Sequence, residues 1–339
     1  TMGMSAYLYL VAHTITIGVV YLFVQYTFLL QGPIEQISQQ MQEFQKAASS
    51  LIRVRDLLGL RATIVDGATS LPASTAGASG QHGLGVSFDH VTFTYPTGDQ
   101  PTLRDVSFAL APGQVMGLVG RTGSGKTTIS RLLFRLYDVS EGAVRLDDVD
   151  VRDLPLSALR RGVGLVTQDV QLFQATVRDN VTFFDDSISD ARIREVFERL
   201  GMNEWLARMP DGLDTWLEAS GGGLSAGEAQ LLAFVRVFLR DPGLVILDEP
   251  SSRLDLATER LIERGMRALL ADRTGIIIAH RLATVRRADV ILTLGAGQVL
   301  EFGAREALER QPDSHFAALL RVGLEDEDTI DVDQEGALV

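Results

Sequence analysis

Four side chains in this sequence have the types and spacing for chemistry on a phosphoanhydride. Two of them end a glycine-rich loop, Gly120-Arg121-Thr122-Gly123-Ser124-Gly125-Lys126-Thr127. Gln114 to Val119 ahead of it reads as a short apolar strand, and Thr128 to Phe134 behind it reads as a helix. In that strand–loop–helix setting, glycines let the backbone curl until successive N–H groups converge on phosphate oxygens, at the positive end of the helix dipole. Lys126 then reaches the β- and γ-phosphates, and the Thr127 hydroxyl ligates Mg²⁺. The other two side chains end a buried-type strand far downstream, Leu244-Val245-Ile246-Leu247-Asp248-Glu249. Asp248 suits the Mg²⁺ shell, and Glu249 suits general-base work on an attacking water. The pair of motifs, in this order, implies hydrolysis of ATP or a close relative.

The residues around these motifs narrow the class. Leu224-Ser225-Ala226-Gly227-Glu228 follows three glycines and precedes an apolar helix-like run, Ala229 to Arg236. Here the sequence resembles the nucleotide-binding domain of ATP-binding cassette (ABC) transporters of the exporter branch, over residues 84 to 323. Further stations match in order. Tyr95 falls where that family stacks an aromatic ring on adenine, Gln168 matches the Q-loop, Ser251 to Asp255 match the D-loop, and His280 matches the switch histidine. The resemblance implies an α/β P-loop cassette with a helical signature subdomain, preceded by a transmembrane helix. It implies two cassettes dimerising head to tail, as a homodimer or a heterodimer, each ATP held between the loop of one and the signature of the other. The implied nucleotide-binding set is Tyr95, Gly120, Thr122, Gly123, Ser124, Gly125, Lys126, Thr127, Thr128, Ser225, Gly227 and Asp255. The implied catalytic set is Glu249, His280 and Gln168, with Thr127, Gln168 and Asp248 on Mg²⁺.

Three positions depart from the family pattern. Glu228 stands where the signature usually carries glutamine, and Pro250 follows Glu249 where exporters more often have alanine. Alanine at 219 replaces the acid of the exporter X-loop, with Glu218 one residue earlier.

The start of the chain fixes the branch. From Thr1 to Ile34 there is no Lys, Arg, Asp or Glu. A bilayer core takes roughly 20 apolar residues, so the run reads as the tail of one membrane helix (about 1–12), a short loop at Thr14 to Gly18, and a complete membrane helix over 16–36. A signal peptide is the rival, but its basic start and small-residue cleavage site are missing. Helical periodicity continues past the bilayer in Ile34, Ile37, Met41, Phe44, Ala48, Leu51 and Leu58, a seam over 37–60 that faces other helices. Pro33 is placed to kink the helix near the membrane surface. Arg53, Arg55 and Arg61 mark the cytoplasmic side, so the cassette is expected on the cytoplasmic face of the cell membrane, in contact with lipid and the remaining membrane helices. With at most one and a half such helices, the chain reads as the C-terminal part of a multi-pass exporter subunit.

Residues 61–84 read as a low-complexity linker. The alternation of Val86, Phe88, Val91, Phe93 and Tyr95 announces strands, and residues 185–240 read as mostly helical. Glu325 to Glu335 carries acids and no bases, so 324–339 is expected to be a disordered acidic tail. There are no cysteines, which excludes disulfides and thiolate metal sites. A formal charge of −13 argues against a nucleic-acid partner. Nearly every cation is arginine; the two lysines are Lys46 and Lys126, and the second sits in the phosphate loop. The alternative reading, a soluble ABC-type ATPase without a transport role, conflicts with the apolar N-terminal run.

Overall fold

A computed structural model of the chain describes residues 16–60, 62–69, 83–218, 223–248, 256–279 and 282–321. The chain divides into two units, Thr1–Thr63 and Ile64–Val339.

Among its described residues the first unit holds one helix, α1 (Ile17–Gly59), 43 residues long and continuous through Pro33. At about 1.5 Å per residue it extends roughly 65 Å, about twice the hydrocarbon thickness of a bilayer. Among the described residues it is the one helix long and apolar enough to cross a membrane, with a mean hydropathy of 1.4 over its most apolar window. None of its side chains is buried in the chain itself. Ile34, Ile37, Met41, Phe44, Leu51 and Leu58 all stand exposed along it. The first membrane helix expected over 1–12 lies outside the described residues, as does the acidic tail.

The second unit is built on a six-stranded sheet in the order β12-β11-β3-β10-β9-β6. Its members are β3 (Val115–Gly120), β6 (Val163–Val166), β9 (Leu244–Asp248), β10 (Thr274–Ile278), β11 (Val290–Gly295) and β12 (Gln298–Ala304). All pairings are parallel except β11 with β12. A four-stranded antiparallel sheet lies beside it in the order β2-β1-β4-β5, from β1 (Val86–Phe93), β2 (Leu103–Leu110), β4 (Glu141–Leu146) and β5 (Val149–Asp150). The inner strands of the large sheet are apolar on both faces because each face is covered, whereas the edge strand β12 is not buried. Met116, Leu118, Ile246, Ile276 and Ile278 join the core shared with the antiparallel sheet. Val115, Val119, Val245, Leu247 and Ile277 join a second core shared with helices.

The sequence alternation along β1 changes parity, from Val86 and Phe88 to Val91 and Phe93. The structure shows why. The register with β2 shifts between Phe88 and Val91, and His90 takes φ of 49°. A bulge inserts one residue and returns the next apolar side chain to the same face.

The helical part holds α4 (Val177–Thr182), α5 (Asp190–Arg199), α6 (Asn203–Arg208) and α7 (Ala226–Arg240), after α2 (Lys126–Leu133) and α3 (Leu156–Gly162) earlier in the chain. A two-stranded ribbon, β7 (Ala175–Thr176) with β8 (Trp216–Leu217), closes its edge. In the stretch expected as linker, residues 65–69 are tied to the rest of the second unit. Leu156 N–H donates to Asp66 Oδ1 at 2.7 Å, and Arg135 Nη2 donates to Val65 O at 2.9 Å. The backbone N–H groups of Gly67 and Thr69 donate to Leu154 O and Asp153 O.

Candidate nucleotide site

The glycine-rich loop runs from the end of β3 at Gly120 to the start of α2 at Lys126. Gly123 has φ of +81°, and a Cβ built there meets nothing within 4 Å. Glycine is therefore needed for the left-handed turn, and the loop is open on that side. Gly125, at the N-cap of α2, has φ of +108°, and a Cβ there would come 2.5 Å from Leu103 Cδ2. The side chain of Lys126 is buried and turns back across the loop, donating to Gly120 O at 2.6 Å and Arg121 O at 3.2 Å. Thr122 and Thr127 are exposed, and Ser124 is buried. The result is an ammonium group inside a ring of main-chain groups at a helix N-terminus, a setting that attracts anions.

Strand register brings the acid to the same edge. Asp248, last in β9, pairs with Ile278 of β10, and Ile278 pairs with Leu118 of β3. Two strand spacings, about 10 Å, separate Asp248 from the strand that carries the loop. On the other side β6 pairs Val166 with Leu247, so Gln168, exposed just past β6, follows the neighbouring strand end. Gly120, Asp248 and Gln168 thus lie at or just past the C-terminal ends of parallel strands of one sheet. Ligands of open α/β sheets collect at this edge. Glu249, Asp255 and His280 lie outside the described residues.

Tyr95 follows β1 and reaches the loop helix. Its hydroxyl sits 3.0 Å from Thr128 Oγ1 and accepts from Arg131 Nη1 at 3.0 Å. Phe93 and Tyr137 pack against the ring edge to face, and the Arg131 guanidinium carbon lies 5.7 Å from its centroid. An aromatic ring is therefore held rigidly beside the first turn of α2. Thr128, buried, spends its hydroxyl on that ring.

Ser225 is the N-cap of α7, exposed, in extended conformation, and part of a capping box with Glu228. Gly227, two residues on in the first turn, is buried.

Comparison with known proteins agrees with this geometry. Residues 103–252 match the model of the ABC transporter family. The cassette belongs to the ABC transporter family. The chain is 38% identical over 87% of its length to an ATP-dependent lipid A-core flippase of Photobacterium profundum, and covers 49% of that protein. It is 36% identical over 85% of its length to a fatty acid ABC transporter ATP-binding/permease protein of Mycobacterium bovis, covering 44% of it. A solved bacterial Atm1-family ABC exporter with ATP bound superposes with a TM-score of 0.70 at 31% identity, over 94% of this chain and 54% of that one. The chain spans about half the length of the curated relatives it matches. The ABC match implies that it binds nucleotide.

Several residues that tie this cassette together escape motif reading. Arg236 of α7 is buried and donates to Asn180 O at 2.7 Å, Asn180 Oδ1 at 3.2 Å and Gln171 O at 2.9 Å. Burial, and after it the charge of Arg240, pulls its guanidinium down to about 10, so it stays protonated at neutral pH. Asn180, fully buried, also bonds Phe173 through both its amide groups. Gln230 Nε2 donates to Thr167 O at 3.2 Å. Helix α7 is thus fastened directly to the chain on both sides of Gln168, at Thr167 and at Gln171. No local pattern announces these contacts. The capping boxes Ser225–Glu228 and Thr176–Asp179 do have one, a hydroxyl residue followed three positions later by an acid.

Proposed function

We propose that the chain is the ATP-hydrolysing part of an ABC exporter, on the cytoplasmic side of the cell membrane. The observation that carries this reading is the meeting, at one sheet edge, of the Lys126 loop, Asp248 and Gln168, with a capped signature helix bonded to the segment beyond Gln168. The loop 120–127 holds the phosphates through its N–H groups and Lys126, and Tyr95 stacks on the adenine. Glu249 takes the proton of the attacking water. His280 and Gln168 hold that water in line, so catalysis is positioning together with charge stabilisation.

The oxygens of Thr127, Asp248 and Gln168 are a hard donor set that fits Mg²⁺. Bound there, Mg²⁺ neutralises charge on the β- and γ-phosphates. A second cassette, identical or paralogous, completes each site. Its Ser225 and Gly227, at a helix N-terminus, face the γ-phosphate across the interface, with Asp255 alongside.

Residues 16–36 span the bilayer, 37–60 continue into the cytoplasm, 61–84 connect, 85–323 form the cassette and 324–339 an acidic tail. The cytoplasmic loops of the membrane domain dock beside the Q-loop. A cavity of about 380 Å³ there is lined by Thr167, Gln171, Phe173 and Phe183 among others. Phe173, Phe183 and Phe184 are exposed and pack edge to face. Substrate choice belongs to the membrane helices.

The test is Mg²⁺-dependent ATP hydrolysis by the full chain in detergent or lipid nanodiscs, beside a version lacking residues 1–60. The shortened protein is expected to be soluble without detergent and to bind ATP as the full chain does. Loss of ATP binding on removal of that segment, or full solubility of the intact chain without detergent, contradicts the reading.

A further inference from the structure

We infer that Glu228 is a positioning residue for the signature helix, and that Trp205 is the reason it is a carboxylate where the family pattern has an amide. The inference rests on the reading that Ser225 serves a nucleotide held by a second cassette.

Each oxygen of Glu228 accepts from a different donor. The backbone N–H of Ser225 donates to Oε2 at 2.8 Å, and Trp205 Nε1–H donates to Oε1 at 2.9 Å. In return, the backbone N–H of Glu228 donates to Ser225 Oγ at 3.2 Å. An ionised carboxylate is acceptor only and can take both N–H groups. A glutamine has one carbonyl oxygen, and its NH₂ would face the second donor.

The two donors differ in their freedom to move. Trp205 on α6 is 5% exposed, and its ring stacks on the buried Phe197 of α5 with centroids 6.0 Å apart and planes 17° from parallel. Its N–H is donor only. Ser225 N–H belongs to the first residue of the cap, where the chain is extended at φ −69° and ψ 157° before α7 begins. With glutamine at 228, one of these N–H groups loses its partner; leaving the buried indole N–H unpaired is costly, whereas Ser225 is exposed and its N–H can turn to water. The easier of the two to move is the cap, which carries the hydroxyl that the neighbouring site needs. The negative charge itself is suited to the first turn of a helix.

The test is a double-mutant cycle on ATP turnover by the full chain. Glu228→Gln is expected to lower kcat about 5- to 10-fold, the equivalent of one unmade hydrogen bond, and to change KM for ATP by less than about twofold. In a Trp205→Phe background the indole donor is gone, so the same substitution should change kcat by less than about twofold, a non-additive cycle. Equal losses in the two backgrounds overturn the inference.

A second readout is independent of turnover and of the two-cassette reading. The chain has two tryptophans, so Trp216→Phe leaves Trp205 as the single indole N–H resonance. Glu228→Gln should move that resonance upfield and speed its exchange with solvent. An unmoved resonance overturns the inference even if Trp205→Phe does not fold. If wild type itself fails to hydrolyse ATP, the proposed function fails, and the resonance still decides the Glu228–Trp205 pairing.

Discussion

Glutamine in place of Glu249 is expected to lower ATP turnover by roughly 10²–10⁴ and to leave ATP binding intact. The substitution keeps the shape of the side chain and removes its ability to take a proton. In the proposed site the phosphate contacts come from the loop at Lys126, which follows a different strand from the one that ends at Asp248, so affinity should survive. With binding intact and hydrolysis blocked, the ATP-bound dimer should accumulate. Steady-state turnover and size-exclusion chromatography with and without ATP check both halves. Turnover within about twofold of wild type removes Glu249 from the role of base.

Lys126→Ala should fail at an earlier step. The ammonium group is buried and lies within hydrogen-bonding distance of two loop carbonyls, at the centre of the anion-attracting end of α2. Charge-assisted contacts to phosphate are the strong ones. Their loss is expected to weaken ATP binding by about 100-fold, the equivalent of roughly 2.7 kcal/mol. Arginine should not rescue it, although it supplies nearly every other cation of the chain. A planar guanidinium fork does not fit a space shaped for a compact point charge. Equilibrium binding of ATP to the two variants checks this, and unchanged affinity for Lys126→Ala contradicts the assignment of the loop.

What the sequence discloses and what it hides follow the range of the interactions. The phosphate loop, the acidic strand and α1 are local patterns of composition and spacing, and the structure has strand, loop and helix where they are expected. The capping box at Ser225 is equally local, three residues from hydroxyl to acid. Glu228 shows the limit. Its tie to Ser225 is visible in the sequence, but its tie to Trp205 spans two helices and depends on how they pack. Arg236 reads only as the charged end of an apolar helix-like run, yet it is buried and holds Asn180 and Gln171. The stretch 65–69 looks like the start of a linker because its composition is nondescript. Its bonds are made mostly by backbone groups, which composition does not report, together with one carboxylate, Asp66.

Complementation between two inactive variants tests the composite site most directly. Ser225→Arg protein keeps its phosphate loop and loses its signature; Lys126→Ala protein does the reverse. In a head-to-tail dimer of the two, both lesions fall in one site and the other site is intact. Equal mixing should therefore restore activity, up to about a quarter of wild type if half the dimers are mixed and each carries one working site. If each cassette instead built its whole site from its own loop and signature, both subunits of the mixed dimer would be dead. Recovery that follows the fraction of mixed dimers is the predicted result. No recovery at any mixing ratio, with mixed dimers demonstrated by two affinity tags, contradicts the account.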